Sequence, residues 1–486
     1  MITAAYFYGY LLTAVSIAMA ICTAISLAID PWIVTRAFLI STCVVGFVGG
    51  GLILTFRGND RRLVRSQAYL LAGGAWLFTP IFLSIPVVTS TAELGWFDAY
   101  VDAVATFTTT GGVFLDRFDV LPDTVKLWRG TSAWLGGMLT IGIVIVILGP
   151  SKVGGIILGR TVAAEFRSFT QWQRIISTAR RIIPVYSNVT AIVLFVILLS
   201  GVDAVDAVVL AFGAISTSGI GMGVDDIGIY GLRTLEFGVF LGMVFGATGF
   251  FWMRPLKQNR FRFIAPTFEG QLVVATVIAL GVVAGLIFWL REGGALGLSA
   301  GAALWEGVFT AASIVTTSGY ELRPGAISVL GYATTMLIVA IGAATVSTSG
   351  GQKVFRGLSM AMFAFRELER LVYPHSQQTV AVGPQIIDLQ TMKAIWAAFA
   401  AYCVAYAVFA LAFALAMPSF EPSMLAAVGA LSTMLPLYES AWAGSADWPP
   451  LAALPTFQKA AMVVAMVAGR VEILALLSLF NFRIVR

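Results

Sequence analysis

The chain has 486 residues, of which 59% are hydrophobic and only 11% are charged, and its mean hydropathy is +0.90. Soluble globular proteins are about 45–50% apolar and about 25% charged, so this chain has too few charges to cover a surface that faces water. Its 30 Lys and Arg and 25 Asp and Glu leave a formal net charge of +5. The composition indicates a protein that crosses a membrane several times and excludes a soluble globular fold.

Histidine and cysteine are too scarce for several classes of functional site. The chain has one histidine, His375, and three cysteines, Cys22, Cys43 and Cys403. A zinc site built from cysteine and histidine needs about four ligands, and a Ser-His-Asp triad would have to use His375, which lies in a loop-like segment. The cysteines lie far apart in apolar stretches, where they behave as small hydrophobic residues. The sequence therefore predicts neither a disulfide framework nor a bound cofactor.

Apolar stretches of about 20 residues, the length that a helix needs to cross a hydrocarbon core, recur along the whole chain. We predict ten membrane-spanning helices, near residues 6–28, 36–56, 68–90, 127–150, 182–202, 231–252, 270–291, 326–346, 392–417 and 458–481. The first stretch lacks a basic segment before it and a small-residue cleavage site after it, so it is interpreted as a retained helix and not as a signal peptide.

Lys and Arg are concentrated in the connections after the second, fourth, sixth and eighth predicted spans, for example at Arg61, Arg174, Lys257 and Arg366. Cytoplasmic connections are enriched in these residues, so both termini are predicted to be cytoplasmic. Asp and Glu are concentrated on the opposite side, where they would raise the local concentration of cations. Acidic residues can also simply avoid the side where basic residues are required, so the charge pattern alone does not establish cation transport.

Four of the outer connections share a pattern, in which a short apolar stretch is followed by small and hydroxyl residues. Aligned by this pattern, Gly111, Gly219, Gly319 and Leu435 recur at intervals close to one hundred residues. The repeat predicts an all-α integral membrane protein with two N-terminal helices and four pseudo-repeats, each a helix, a re-entrant pore loop and a second helix, around one central pore. The predicted segments are 1–62 for the two-helix extension and 63–181, 182–266, 267–388 and 389–486 for repeats 1 to 4.

Four re-entrant loops that face one axis would supply rings of carbonyl oxygens, which can replace the hydration shell of a potassium ion. Irregular backbone at membrane depth is tolerated only where it lines an aqueous cavity or is buried in protein, and the half-helices before the loops would point their negative ends toward the pore. A single Thr-Thr-Gly is usually a turn with a capping hydroxyl, but clusters at equivalent positions favour a pore. The predicted ion-filter residues, which would hold potassium through their carbonyl oxygens, are Thr109, Thr110, Gly111, Thr217, Ser218, Gly219, Thr317, Ser318, Gly319, Thr433, Met434 and Leu435.

Several motifs make the chain similar to a known family over nearly its whole length. They are Thr108–Gly111, Leu127–Arg129, Trp134–Gly137, Thr316–Gly319, Ser347–Lys353, Arg366–Pro374 and Gly469–Ile473. With these motifs the chain resembles the membrane subunit of Trk-type potassium uptake systems (TrkH/TrkG), in the superfamily that includes KtrB and the plant HKT transporters.

The resemblance implies a homodimer in the lipid bilayer of the bacterial inner membrane, with one pore in each subunit. It also implies a cytosolic regulatory partner, a ring of nucleotide-binding proteins of the TrkA type, bound at the basic inner face. The chain itself contains no Gly-x-Gly-x-x-Gly fingerprint, so any control by a nucleotide would have to come from such a partner. No nucleic-acid partner is expected.

The resemblance also points to a candidate gate at the end of the eighth predicted span, where small and hydroxyl residues replace strong helix formers. They are interpreted as an intramembrane gating loop, or alternatively as a plain helix terminus with a glycine cap. Arg470 lies near the middle of the last predicted span, where an arginine costs about 2.5–3.5 kcal/mol on insertion scales. It is expected either to face the pore beside the gating loop and oppose cations, or to pair with a buried carbonyl or carboxylate. The predicted gate residues are Gly342, Ser347, Thr348, Ser349, Gly350, Gly351 and Arg470.

The fourth loop departs from the family pattern, because Leu435 and Leu437 occupy positions where family members usually have glycine. A leucine with a positive φ would be strained by about 1–2 kcal/mol, and a residue before proline is pushed toward extended conformations. The fourth set of carbonyls is therefore expected to be misaimed. The filter could then discriminate potassium from sodium less well, stay selective through its other three loops, or fail to conduct.

Three classes of function remain open from the sequence. The first is gated transmembrane transport of monovalent cations, with potassium uptake through a carbonyl-lined filter as the specific prediction. The second is a secondary ion symporter, although that class favours broken helices in symmetry-related halves over a fourfold repeat of loops. The third is a non-conducting Trk-like protein that acts as a membrane scaffold or as a subunit of a larger complex. An enzyme is not expected, since no cluster of ionisable residues converges on a plausible site.

Overall fold

The computed structural model describes residues 2–58, 65–91, 94–115, 118–148, 171–221, 227–249, 268–296, 299–373, 380–383, 385–442 and 447–473. Across these residues the fold is helical, apart from one antiparallel pair of two-residue strands, β1 (Ala381–Val382) and β2 (Gln385–Ile386). The predicted all-α fold class is confirmed. Most of the basic connections predicted after the fourth and sixth spans lie in residues 149–170 and 250–267, which, like His375, are outside the described residues.

The described helices differ widely in length. In chain order they are α1 (Ile2–Ile29), α2 (Trp32–Thr55), α3 (Arg65–Ser90), α4 (Trp96–Phe107), α5 (Asp123–Ile143), α6 (Gln171–Leu198), α7 (Ala204–Ile215), α8 (Arg233–Ala247), α9 (Phe268–Leu296), α10 (Ala300–Val315), α11 (Tyr332–Ile341), α12 (Val354–Val372), α13 (Leu389–Ala414), α14 (Phe420–Leu431), α15 (Pro436–Trp442) and α16 (Thr456–Val471).

Seven of these helices are long and apolar enough to cross a membrane, judged by length and composition within the described residues: α1, α2, α3, α5, α6, α9 and α13. They leave large apolar side chains on the outside of the molecule, such as Phe47 (82% exposed) and Leu290 (68% exposed). Extended apolar surface of this kind marks contact with a membrane or with another protein.

Four shorter helices are buried, and each packs against the long helix that precedes it. They are α4, α7, α10 and α14, beside α3, α6, α9 and α13 respectively. Their inward side chains are almost completely enclosed, and Val104, Leu210, Ile314 and Leu431 are at most 2% exposed. A non-helical turn follows each of them. The predicted succession of helix, half-helix and loop therefore occurs four times after the α1–α2 hairpin.

The sixth and eighth spans predicted from sequence are longer than the helices that form there. Helix α8 ends at Ala247, shortly before Gly249 with a φ of +95°, and α11 ends at Ile341, directly before Gly342 with a φ of +67°. A left-handed residue ends an α-helix, and glycine adopts this conformation without a steric penalty. The described residues that follow the two helix ends, 248–249 and 342–351, are buried as well.

The boundary predicted between residues 181 and 182 lies inside α6, which begins at Gln171. Arg180 and Arg181 were interpreted as part of a cytoplasmic connection, but they lie on the first half of this helix. The helix that precedes the second half-helix is therefore longer at its N-terminal end than predicted.

Candidate functional site

The four half-helices end in the same backbone turn. The residue after each half-helix has a near-helical φ, and the next residue is a threonine with a left-handed φ between +53° and +57°. These left-handed residues are Thr109, Thr217, Thr317 and Thr433. A positive φ is a steric outlier for a β-branched side chain, so it persists only where the surrounding structure imposes it.

Each turn is a Schellman motif, in which two backbone N–H groups bond back to the end of the helix. In the first loop, Thr109 donates to Thr106 O at 2.9 Å and Thr110 donates to Ala105 O at 2.8 Å. The bonds equivalent to the second of these measure 3.0, 3.0 and 2.7 Å in the other three loops. Because the half-helix takes up these N–H groups, the loop carbonyls are the groups left to face a neighbouring loop or a ligand.

The left-handed conformation of these four threonines was not predicted from the sequence. A Schellman motif normally has glycine at this position, and the strain expected at Leu435 implies a positive φ two residues later, at the positions aligned with Gly111. Gly111, Gly219 and Gly319 do have positive φ values, of +72°, +68° and +88°. A signal was present, however, since threonine is the residue that all four clusters share at this position.

The predicted filter glycines bring the first three loops into direct contact. A Cβ on Gly111 would collide with Ser218 O of the second loop, and a Cβ on Gly219 would collide with Ser318 O of the third. Glycine is required at both positions, since no side chain fits between a loop and the carbonyl of its neighbour.

The fourth loop closes the ring. A Cβ on Gly319 of the third loop would lie 2.5 Å from Pro436 Cβ, and Leu435 donates its N–H to Thr110 O of the first loop at 2.9 Å. The contacts run from the first loop to the second, third and fourth, and back to the first. All twelve residues predicted as the ion filter therefore lie on four loops that surround one common axis.

The strain predicted at Leu435 is wrong. Leu435 does not have a positive φ, and the left-handed residue of the fourth loop is Thr433, as in the other three loops. Pro436 follows as the first residue of α15, a position that suits proline because its fixed φ fits a helix and its missing N–H is not needed there. The fourth loop therefore repeats the turn of the others and differs from them only after Met434.

The predicted gate residues Gly342 and Ser347–Gly351 lie in one buried loop, which we call the gate loop and define as residues 342–352. Its ends are joined by a bond of 2.8 Å from Gln352 N–H to Ala340 O. Gly342 and Gly351 both have positive φ values, and a Cβ on either would collide with the opposite end of the loop. Helix α11 does end with Gly342 as its cap, as one interpretation of the sequence expected, and the residues after that cap form the closed, buried loop.

The gate loop packs against the loops of the ring. Gly350 donates its N–H to Thr317 Oγ1 at 2.8 Å, and Thr217 Oγ1 donates to Thr348 Oγ1 at 3.2 Å. The gate loop therefore contacts the left-handed threonines of the second and third loops and lies at the threonine end of the ring.

Arg470 joins the gate loop to the first loop of the ring. Its Nε donates to Thr108 O, and its Nη1 donates to Thr348 O at 2.7 Å. The side chain is buried, and its Nη2 has no hydrogen-bond partner among the described residues. Arg470 therefore pairs with buried carbonyls, as one interpretation of the sequence expected, and one of those carbonyls belongs to the predicted gate.

Charged residues beside the gate loop were not assigned a role from the sequence. Arg356 and Glu472 form a buried ion pair of 2.8 Å, with side chains 3% and 8% exposed, and Lys353 donates to Ser349 O. Lys353 and Glu472 also have positive φ values. All three belong to or border motifs that carried the family resemblance, which was the available signal.

On the glycine side of the ring, carboxylates brace the loops. Arg129 binds both oxygens of Asp102 at 2.8 and 2.9 Å and donates to Gly112 O at 2.9 Å. Glu439 accepts the N–H of Val113 at 2.9 Å. Glu439 lies in α15, outside the membrane-spanning helices, and burial raises its pKa to about 6 while the bond from Val113 acts in the opposite direction. These carboxylates, predicted to attract cations at the outer surface, bond to the protein itself.

Comparisons with known proteins agree on one family. Its profile, described as "TrkH: Cation transport protein", matches residues 35–484. The Trk system potassium uptake protein TrkH of Halomonas elongata is 26% identical over 457 residues, which cover 92% of this chain and 91% of that protein. The protein of the same name from Escherichia coli (strain K12) is 25% identical over 451 residues, with coverage of 92% and 91%.

A solved structure shares the fold. The crystal structure of the potassium transporter TrkH from Vibrio parahaemolyticus matches with a TM-score of 0.85 and 22% identity, and the match covers 100% of this chain and 99% of that one. Since the family profile spans nearly the whole sequence, the chain is a membrane protein and not an enzyme, and it belongs to the TrkH family of cation transport proteins.

Proposed function

We propose that this chain mediates gated transport of monovalent cations, with potassium taken up along the axis of the four-loop ring. The observation that carries the proposal is the closed ring of loop contacts, in which Ser218 O and Ser318 O each face the glycine of the preceding loop. The names of the relatives, which are potassium uptake proteins, support potassium as the ion.

The chemistry follows from the ends of the half-helices. Four C-termini meet at the ring, and each brings the negative end of its dipole toward a cation on the axis. Loop carbonyls then substitute for the water that a potassium ion loses on entering. The predicted filter residues act through these carbonyls, and no cofactor takes part.

We further propose that the gate loop and Arg470 control passage at the threonine end of the ring. The support is their position, since Arg470 holds Thr108 O and Thr348 O together directly beside the loops. In this arrangement a positive charge lies next to the path of a cation and opposes its passage until the gate loop moves.

The surroundings of the protein are also a proposal. The side that carries the predicted basic connections would face the cytoplasm of a bacterial cell, with both termini on that side of the inner membrane. A homodimer and a cytosolic nucleotide-binding partner of the TrkA type are expected from the family resemblance. Light scattering of the purified protein, alone and with a candidate regulatory subunit, would test both associations.

The direct test is uptake of rubidium-86, a potassium substitute, into vesicles that contain the purified chain. Gly219→Ala places a methyl group against Ser318 O, whereas Gly201→Ala adds one at a similar φ of +83° where nothing lies within 4 Å. A barrier higher by about 1.4 kcal/mol lowers a rate about tenfold, and a displaced filter carbonyl should exceed this. We expect Gly219→Ala to lower the rubidium flux at least tenfold and Gly201→Ala to leave it unchanged. Uptake by the unchanged chain no faster than by empty vesicles would overturn the proposal.

A second candidate function is a non-conducting membrane scaffold. One observation favours it, because Leu435 N–H occupies Thr110 O, a carbonyl that a filter would need for the ion. The same flux measurement separates the two functions, since a scaffold would show no uptake while still binding its partner complex.

A further inference from the structure

Pro436 contacts the glycines of three loops at once. A Cβ built on Gly111 would lie 3.2 Å from Pro436 Cδ, and Cβ atoms on Gly219 and Gly319 would lie 3.3 and 2.6 Å from Pro436 Cγ. These glycines belong to three different loops of a ring whose contacts close on themselves. A single pyrrolidine group that reaches all three glycines must lie on the common axis of the four loops or across one end of it.

The proline lies at the end of the ring opposite to the gate loop. The gate loop bonds to Thr217 and Thr317, whereas Pro436 packs on the glycines that follow two residues later. By the predicted topology the glycine end faces outward. Pro436 is itself buried, so its pyrrolidine group is enclosed by the surrounding protein.

Pro436 is held in place from two sides. Besides the bond from Leu435 to the first loop, Glu439 of α15 accepts the N–H of Val113 at 2.9 Å. Ser440 of the same helix donates to Glu321, which follows the third loop, at 2.6 Å. The position of α15 across the ring is therefore fixed by the first and third loops together.

We propose that Pro436 is a plug at the outer end of the ion pathway and that it limits monovalent-cation flux, an inference that rests on the transport function proposed above. Three loops present glycine at this level of the ring, and the fourth presents a pyrrolidine ring directed into it. Cations pass this level only when α15 moves away from the three glycines. The fourth loop then sets the rate of transport.

Removing the pyrrolidine group of Pro436 in steps tests the plug, with the full-length chain reconstituted in vesicles. Pro436→Ala removes Cγ and Cδ, the atoms that lie nearest to the Cβ positions of Gly111 and Gly219, and Pro436→Gly removes Cβ as well. We expect rubidium uptake to rise several-fold with alanine and further with glycine. Pro422→Ala, which changes a buried proline at the far end of the half-helix α14, should leave uptake unchanged. Uptake by Pro436→Gly that is no faster than by the unchanged chain would overturn the plug.

A second measurement does not depend on flux. In a chain with Cys22, Cys43 and Cys403 replaced by serine, Thr109→Cys places a thiol beyond the plug, at a position where Oγ1 has no hydrogen-bond partner among the described residues. Silver ion, close to potassium in size, is added to the outer face of right-side-out vesicles, and thiols that escaped it are labelled after denaturation.

The thiol should be protected from silver in the presence of Pro436 and should react rapidly once Pro436→Gly is added. Equal reaction in both backgrounds would refute the plug even if both chains transport rubidium. If Pro436→Gly makes the thiol accessible to silver without any rubidium uptake, the result would support the plug and refute the transport function.

Discussion

At the residue scale, the site depends on threonine in a conformation that threonine disfavours. Thr109 and Thr317 occupy the same left-handed position in two loops, with φ values of +54° and +57°. Their side chains differ in their surroundings, because Thr317 Oγ1 accepts the N–H of Gly350 whereas Thr109 Oγ1 has no hydrogen-bond partner among the described residues. The strain is the same at both positions, but only one side chain compensates for it with a bond to the gate loop.

This difference predicts that substitution by glycine has different effects on the stability of the protein at the two positions. Thr109→Gly relieves left-handed strain of about 1–2 kcal/mol and increases unfolded-state entropy by an amount worth about 0.4–1 kcal/mol, so stability should stay equal or rise slightly. Thr317→Gly also leaves a buried N–H without an acceptor, which costs about 1–3 kcal/mol. Thermal unfolding in detergent should therefore give a lower midpoint for Thr317→Gly than for Thr109→Gly. The reverse order would mean that the bond to the gate loop contributes little.

At the scale of elements, the gate loop is the part that connects the ring with the end of α16. It begins at the end of α11 and leads into α12, and Arg470 of α16 bonds to it and to the first loop of the ring. Movement of α16 is therefore expected to move the gate loop relative to the ring. The buried pair of Arg356 and Glu472 joins α12 to the end of α16 on the far side of this contact.

Arg470→Ala is expected to raise rubidium uptake several-fold, because it removes both the buried charge beside the pathway and the tie between Thr108 O and Thr348 O. Arg370→Ala, which removes an exposed arginine from α12, is the control and should leave uptake unchanged. Uptake by Arg470→Ala equal to that of the unchanged chain would exclude a gating role for this residue.

Glu472→Gln is expected to destabilise the protein, since it leaves the buried Arg356 without its counter-charge. Breaking a buried pair by removing one partner typically costs about 3–5 kcal/mol. Glu367→Gln, made in the exposed pair with Arg370, is the matched control and should have little effect because solvent screens that pair. The measurement is the unfolding midpoint in detergent, and similar midpoints for the two variants would contradict a structural role for the Arg356–Glu472 pair.

At the scale of the whole molecule, the architecture could be predicted because each repeat can be recognised from the composition of short stretches of sequence. Long apolar stretches predict spans, and glycine beside threonine or serine marks three of the four loops. The contacts between loops could not be predicted, since Leu435 bonding to Thr110 and Pro436 meeting three glycines are relations between distant parts of the chain. The strain assigned to Leu435 was wrong for the same reason, because the alignment by glycine did not show that each turn is centred on a threonine.

The central claim, that four loops form a single cation pathway, is tested most directly by an anomalous-scattering map of crystals grown in rubidium. We expect rubidium peaks on the axis, enclosed by the carbonyls of Ser218 and Ser318 and on the gate-loop side of Pro436. Well-ordered loops with no peak on this axis, or rubidium bound only elsewhere, would contradict it.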